Sequence, residues 1–341
     1  MKSFNNLHEK IYSFENLHKA YLKARRNKRY KSEVLEFSNN LEENLITLQN
    51  ELIYEVYEPS RYREFIIHEP KERLILALPF RDRVIHQAIN NIIEPIFEKT
   101  FINDSYACRK TKGTLTGVKK MAYYLNKNLA NNKETFCLKM DVKKYFYSID
   151  HSMLKNLLRR KIRCAKTLRL LDVIIDSTDD PGIPVGNLTS QLFANIYLNH
   201  LDHFIKETLR AKHYVRYMDD MIILHKDKKQ LWNWLGEIKN FLEDELKLGL
   251  NGKTSVFNIK RGIDFLGYRQ FPQGRILRKR VMTKNYKKFK KFISIDEDVN
   301  KIERSLASLR GLCKHCSAEK VLQTIYNILG EKTCRAQKYS N

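Results

Sequence analysis

Apolar residues along this chain change their period several times, and each change marks an element. In NLTSQLFANIYLNHLDHFIKETL (187–209), Leu188, Leu192, Phe193, Ile196, Tyr197, Leu201, Phe204 and Ile205 share one face at helical spacing. RVIHQAINNIIEPIF (83–97) and KKQLWNWLGEIKNFLEDEL (228–246) read as helices for the same reason. HSMLKNLLRRKI (151–162) gathers Leu154, Leu157, Leu158 and Ile162 on one side, with Asp150 placed to cap its first turn. Residues 1–60 read as mostly helical and carry a basic segment, KARRNKRYK, at 23–31.

Elsewhere the apolar residues run together. CLKMDV (137–142) reads as a buried strand, and LKLGLN (246–251) as another. REFIIHEPKERLILALP (63–79) reads as two strands around a Pro-Lys-Glu-Arg tip. YVRYMDDMIIL (214–224) reads as strand, tight turn, strand. The order gives an α+β chain with a split βαβ sheet backed by helices.

That sheet has a chemical consequence. Asp141 ends one strand, and Asp219 and Asp220 sit in the turn of the hairpin. Adjacent carboxylates repel, and burying them without a cation is costly. If the two elements are neighbours, three carboxylates converge into a site for hard cations with oxygen ligands. Two Mg²⁺ ions held about 3.5–4 Å apart can activate a 3′ hydroxyl and stabilise a leaving pyrophosphate. A surface turn with two acids is the ordinary alternative. The aromatic–Met–Asp–Asp string between apolar strands, with Asp141 upstream, outweighs it.

Composition narrows the partner. The 341 residues suggest two or three structural units, and 43% hydrophobic content is enough for sizeable cores. Lys and Arg number 63 against 39 Asp and Glu, a formal charge of +24 that suits a polyanion, most plausibly nucleic acid. From Phe265 to Ile295 there are ten Lys or Arg residues and no acid, interleaved with aromatics, which suits a surface that tracks a nucleic-acid backbone. No apolar run approaches bilayer-spanning length, and no membrane partner is expected. The six cysteines form no disulfide framework, so a reducing cytoplasm is the expected location. Cys313-Lys-His-Cys316 could be half a zinc site but has no second CxxC.

Taken together the motifs resemble reverse transcriptases. YMDD (217–220), DVKKYFYSIDH from Asp141, GIPVGNLTSQLFANIYL (182–198), LNGKT (250–254), IDFLGYRQF (263–271) and SYACRKTKGT (105–114) stand in that family's order over roughly residues 60–280. Most reverse transcriptases show QG followed by SP in the 182–198 block. The string here, Val185-Gly186-Asn187-Leu188-Thr189-Ser190-Gln191, resembles the enzymes of diversity-generating retroelements. The resemblance implies a right-hand polymerase fold with fingers, a ferredoxin-like palm and a small helical thumb. Its divisions would be a helical basic extension over 1–60, fingers and palm over 61–280 with a primer-grip hairpin at 255–272, and a basic helical thumb over 281–341. It implies RNA-directed DNA polymerisation with Mg²⁺ (Mn²⁺ as an alternative), error-prone opposite adenines. The implied partners are template RNA, RNA–DNA duplex, dNTPs and a small basic accessory protein.

The resemblance also implies roles. Asp141, Asp219 and Asp220 are the metal ligands and catalytic carboxylates. Phe146, five residues after Asp141, matches the position that packs under the incoming sugar and excludes a 2′ hydroxyl, with Tyr145 as the core alternative. Lys71 and Arg73 at the fingers tip suit a triphosphate, unless they are a solvated turn. Lys253 matches a lysine near the triphosphate. Val185, Gly186, Ser190 and Gln191 would line the nucleotide and template pocket, and Gly186 would allow close backbone approach. Val185 stands where other families have a polar Gln, which could loosen checking of the nascent pair. Arg109 would face nucleotide or template. Phe265, Leu266 and Gly267 would form the primer grip, or simply pack a hairpin. No RNase H-like carboxylate set or HNH pattern is seen, so strand removal and target entry would fall to partners. A group II intron-like or retron-like enzyme, and an RNA-binding protein that keeps the fold without the reaction, are the competing readings.

Overall fold

The structure is a computed structural model that describes residues 3–68, 72–129 and 134–330. Four helices come first: α1 (His8–Tyr12), α2 (Phe14–Ala24), α3 (Ser32–Asn39) and α4 (Leu41–Ile53). A hairpin follows, β1 (Arg63–Ile67) and β2 (Arg73–Ala77), then α5 (Phe80–Glu98) and α6 (Thr114–Leu129). Strand β3 (Phe136–Asp141) leads to α7 (His151–Arg159), α8 (Ala165–Ile175) and α9 (Leu188–His203). Strands β4 (His213–Tyr217) and β5 (Asp220–His225) precede α10 (Lys228–Leu246) and β6 (Ser255–Asn258). The remainder is β7 (Ile263–Phe265), β8 (Tyr268–Phe271), β9 (Gly274–Leu277), α11 (Lys279–Ser294), α12 (Val299–Cys313) and α13 (Glu319–Leu329).

Two compact units contain these elements: Met1–Gly113, Lys139–Ile223 and Trp232–Thr254 form one, and the remaining segments the other. In the first unit α5 packs on α2 and α9. α9 buries residues on nearly every face, from Thr189 and Ser190 to Leu201 and Asp202, as expected of a helix surrounded by protein. Asp150 caps α7 as anticipated, accepting 2.8 Å from the Met153 N–H. In the second unit Tyr268, Leu277, Phe289, Phe292, Ile302, Leu306, Leu309 and Ile325 form one core around the helices α11–α13. Cys313 is buried in that core, and among the described residues no group of His, Cys, Asp or Glu is placed to hold a metal. No helix there is long and apolar enough to cross a membrane.

The four-stranded sheet has the order β4–β5–β3–β6. LKLGLN, expected as a strand, is not one. Lys247 takes a left-handed φ of 50° just past α10, Gly249 offers no side chain to a pleated surface, and only a single bridge joins Leu250 to Val142. The segment 255–272, expected as one hairpin, divides: β6 joins the four-stranded sheet, and β7–β8–β9 forms a separate antiparallel meander. Its first turn, Leu266 at φ 51° and Gly267 at φ 89°, is the two-residue left-handed type that suits a twisted hairpin.

Candidate functional site

Two strand ends build the site. β3 finishes at Asp141, and its neighbour β5 starts at Asp220, after a two-residue turn from β4 made by Met218 and Asp219. Met218 holds φ at 56°, a conformation that such turns demand and that methionine rarely supplies. Alternate residues of a strand share a face, so Lys139 and Asp141 project the same way. Lys139 Nζ lies 3.3 Å from Asp220 Oδ1 and 3.4 Å from Oδ2.

Among the described residues Asp219 makes no such ion pair. Its carboxyl is pushed up to about 6, first by burial and then by the negative charge of Asp141, with Asp220 adding to the effect and Arg73 opposing it. Asp141 is held from the other side: Asn251 Nδ2 donates to its Oδ2 at 3.2 Å, and the Asn251 N–H to its carbonyl at 2.7 Å. The LNGKT loop therefore hangs on the end of β3. Lys253 donates its N–H to Asn251 Oδ1 at 3.2 Å, and its side chain is exposed.

The expected convergence of three carboxylates thus takes a different form. Asp141 and Asp219 repel one another, Asp220 has Lys139, and among the described residues no group of three acidic or imidazole ligands is gathered. The pair still suits Mg²⁺. Its donors are all oxygen, a cation would relieve its repulsion, and Mg²⁺ is commonly held by one or two carboxylates together with substrate phosphates.

The residues after Asp141 divide the roles of their aromatics. Tyr145 is 2% exposed and donates its hydroxyl to the Ala194 carbonyl, which makes it a core residue. Phe146 is half-buried, packs edge-on against Tyr145 at 5.7 Å, and its carbonyl accepts from the Ile183 N–H at 2.8 Å.

Gly186 meets β2. Leu76 N–H donates to the Val185 carbonyl at 3.1 Å, and a Cβ on Gly186 would stand 2.9 Å from the Leu76 carbonyl oxygen. That neighbour is backbone and cannot swing away, and φ is +134°. Gly186→Ala is expected to cost about 2–4 kcal/mol of stability and to weaken dNTP use, since β2 also carries Arg73. Urea unfolding beside dNTP KM checks this; a variant unchanged in both would mean that the approach is not required.

Beside Gly186 and Gln191 opens a cavity of about 430 Å³, lined also by Lys23, Arg26, Lys28, Arg83 and His86. Burial lowers His86 to about 4, so it is neutral, and its Nδ1 lies 2.8 Å from Thr189 Oγ1. Ser190, expected to touch the template, is 2% exposed on α9 and faces protein. Arg109 is also placed otherwise than expected. Its Nε and Nη2 grip Glu98 at 2.7–3.0 Å, and its Nη1 donates to the Ile102 and Ser105 carbonyls, leaving the side chain 5% exposed. It fastens the 98–105 loop. Lys71 lies outside the described residues. In the second unit Phe265 is 1% exposed, and the Gly267 carbonyl accepts from the Arg278 N–H at 2.9 Å.

Sequence reasoning missed Lys139, Asn251 and Arg216. Lys139 and Arg216 share a signal: each is a basic residue inside an otherwise largely apolar strand. Arg216 is fully buried against a fully buried Asp202, with Nη2 to Oδ2 at 2.6 Å.

The profile of the family described as reverse transcriptase (RNA-dependent DNA polymerase) matches residues 67–270. Protein YkfC of Escherichia coli (strain K12) is 27% identical over 266 residues, covering 65% of this chain and 70% of its own. The group II intron-encoded protein LtrA of Lactococcus lactis subsp. cremoris is 25% identical over 287 residues, and the chain spans 47% of its length. In fold the chain is similar to telomerase from Candida albicans in complex with a TWJ fragment of telomeric RNA, with a TM-score of 0.54 at 14% identity, covering 83% of this chain and 56% of that one. Apo telomerase from Candida tropicalis gives a TM-score of 0.52 at 11% identity, covering 82% and 63%. These likenesses give the right-hand polymerase fold, mixed helix and sheet. With the profile spanning more than half of its length and the paired carboxylates standing at the ends of β3 and its neighbouring hairpin, the chain belongs to the reverse transcriptase family, the RNA-dependent DNA polymerases.

Proposed function

We propose that this chain extends a primer 3′ end with dNTPs on an RNA template, in the manner of a diversity-generating retroelement enzyme that copies with errors opposite adenine. The observation that carries the polymerase reading is the Asp141–Asp219 pair, buried enough to repel and set in the field of Arg73. The primer 3′ oxygen attacks the α-phosphate and pyrophosphate leaves. Bound at the pair, Mg²⁺ would activate that hydroxyl and neutralise the triphosphate. Asp220, on its Lys139 partner, is the third carboxylate of the site. Arg73, Lys71 and Lys253 meet the triphosphate, while Val185, Gly186 and Gln191 line the nascent pair. On this reading residues 61–280 form fingers and palm, 281–341 form a thumb, and Phe265, Leu266 and Gly267 steady the primer.

The mutagenic subtype rests on the Val185–Gln191 string, in which Val185 removes a polar contact from the nascent pair. A small basic accessory protein belongs to this reading. The similarity to LtrA favours a second one, a group II intron-like enzyme with ordinary fidelity.

Primer extension on a defined RNA, with Mg²⁺ and all four dNTPs, separates them once the cDNA is sequenced. Errors concentrated opposite adenines are the expected result. Faithful cDNA would transfer the chain to the intron-like reading. No cDNA, even with native RNA and an accessory protein, would leave an RNA-binding protein.

A further inference from the structure

The YMDD turn does not hold itself. Its first residue, Met218, sits in a left-handed conformation with no glycine to ease it, so something outside the turn must fix it. Arg216, two residues earlier, does so with one planar fork. Its Nε donates to Asp202 Oδ1 and Oδ2 at 2.8 and 3.0 Å, and its Nη2 to Oδ2 at 2.6 Å. Its Nη1 reaches Asn195 Oδ1 at 3.2 Å and the Met218 carbonyl at 3.1 Å. Neither Arg216 nor Asp202 has measurable exposure.

The backbone of Arg216 is pinned as well. Its N–H donates to the Asp104 carbonyl at 2.9 Å, and its carbonyl accepts from the Tyr106 N–H at 3.0 Å. Asn195 is fixed in turn by a bond to the Ala107 carbonyl at 2.9 Å. The guanidinium therefore has a set position, and from it Nη1 reaches the Met218 carbonyl of the turn.

In a trans peptide the carbonyl and the following N–H point in opposite directions. Drawing the Met218 carbonyl toward Arg216 turns the Asp219 N–H away from it, and so fixes the backbone from which the Asp219 side chain leaves. We propose that Arg216 is a positioning residue for polymerisation: locked by Asp202, it orients the 218–219 peptide and so sets where the Asp219 carboxylate stands. This rests on the proposed polymerase activity for one of its readouts only.

Removing one member of a buried ion pair threatens the fold, so the test uses a paired variant, Arg216→Met with Asp202→Leu, which leaves no orphaned charge. Arg216→Lys keeps the charge without the fork. Tyr214→Phe removes a 2.7 Å bond to the same Asp202 carboxylate without touching Met218. Each is compared with wild type in thermal unfolding, in primer-extension turnover at saturating dNTP, and in Mn²⁺ binding followed by the electron paramagnetic resonance of the unbound ion. The paired variant should fold, lose about 100-fold in turnover with KM little changed, and bind Mn²⁺ roughly tenfold more weakly. Arg216→Lys should shift both readouts in the same direction, and Tyr214→Phe neither. A folded paired variant with wild-type turnover and Mn²⁺ affinity would overturn the inference, making Arg216 a core ion pair only. If the paired variant does not fold, Arg216→Lys decides by the same two readouts. An inactive wild type would sink the polymerase reading instead, and Mn²⁺ binding would still judge the role of Arg216.

Discussion

Asp219→Asn is expected to remove primer extension by at least about 10³-fold while leaving the protein folded and able to bind RNA. The amide keeps the size of the carboxylate and loses its charge, so on the proposed reading what disappears is the ability to hold a cation beside Asp141. The same change has a second, opposite effect on stability. In the folded protein the Asp219 carboxyl titrates near 6, above its ordinary 3.8. The folded state therefore holds that proton more tightly than the unfolded chain does. Its stabilising contribution is complete below about pH 4 and is lost as pH rises through 6. Asparagine never ionises. At pH 8, without divalent cations, the variant should be the more stable protein by on the order of 2 kcal/mol, and the two should converge near pH 4. Urea unfolding in chelator at both pH values, beside primer extension, reads both effects. A wild type more stable than Asp219→Asn at pH 8 would mean that Asp141 and burial do not strain the site as described.

Phe146→Ala is expected to raise ribonucleotide use relative to dNTP by on the order of 10²-fold, the scale on which a wall of atoms can reject one hydroxyl. Polymerisation with dNTPs should fall by less than this. The division between Tyr145 and Phe146 explains why. Tyr145 is buried with its hydroxyl on the Ala194 carbonyl, whereas Phe146 remains half-exposed three residues before Ile149 re-enters the core. Removing a half-exposed ring leaves little cavity, so folding should be only slightly affected. Single-nucleotide insertion of each dNTP and its rNTP counterpart gives the ratio. An unchanged ratio would assign Phe146 to packing alone.

Much of the architecture could be read from the chain because its signals were local. Helices α5, α7, α9 and α10 announce themselves by period, and Asp150 by its place before α7. The YMDD turn is legible because two apolar strands flank it. LKLGLN misled because a short apolar alternation says nothing of the left-handed Lys247 that follows α10. α6 and α8 were not singled out. Arg109 looked available because Glu98, its partner, lies eleven residues upstream with no periodic relation to it. Lys139 was hidden for a related reason. Its target, Asp220, is brought near only when β5 lies beside β3, and no spacing within the chain encodes that adjacency. A basic residue inside a largely apolar strand, as Lys139 and Arg216 are, is the signal that finds both.

The β1–β2 hairpin has a colloidal side. β1 is exposed along its whole length, with Phe65 at 44%, Ile66 at 52% and Ile67 at 41%, and in its two-stranded sheet it pairs only with β2. A bare apolar strand with an open edge is a template for a second copy of itself. The charge of +24 opposes such pairing: it repels at long range in dilute salt and is screened to within about 10 Å at 0.1 M. If the chain binds RNA as proposed, the choice of buffer sets two demands against each other: salt strong enough to strip RNA from the protein also weakens the repulsion that opposes pairing of its strand edges.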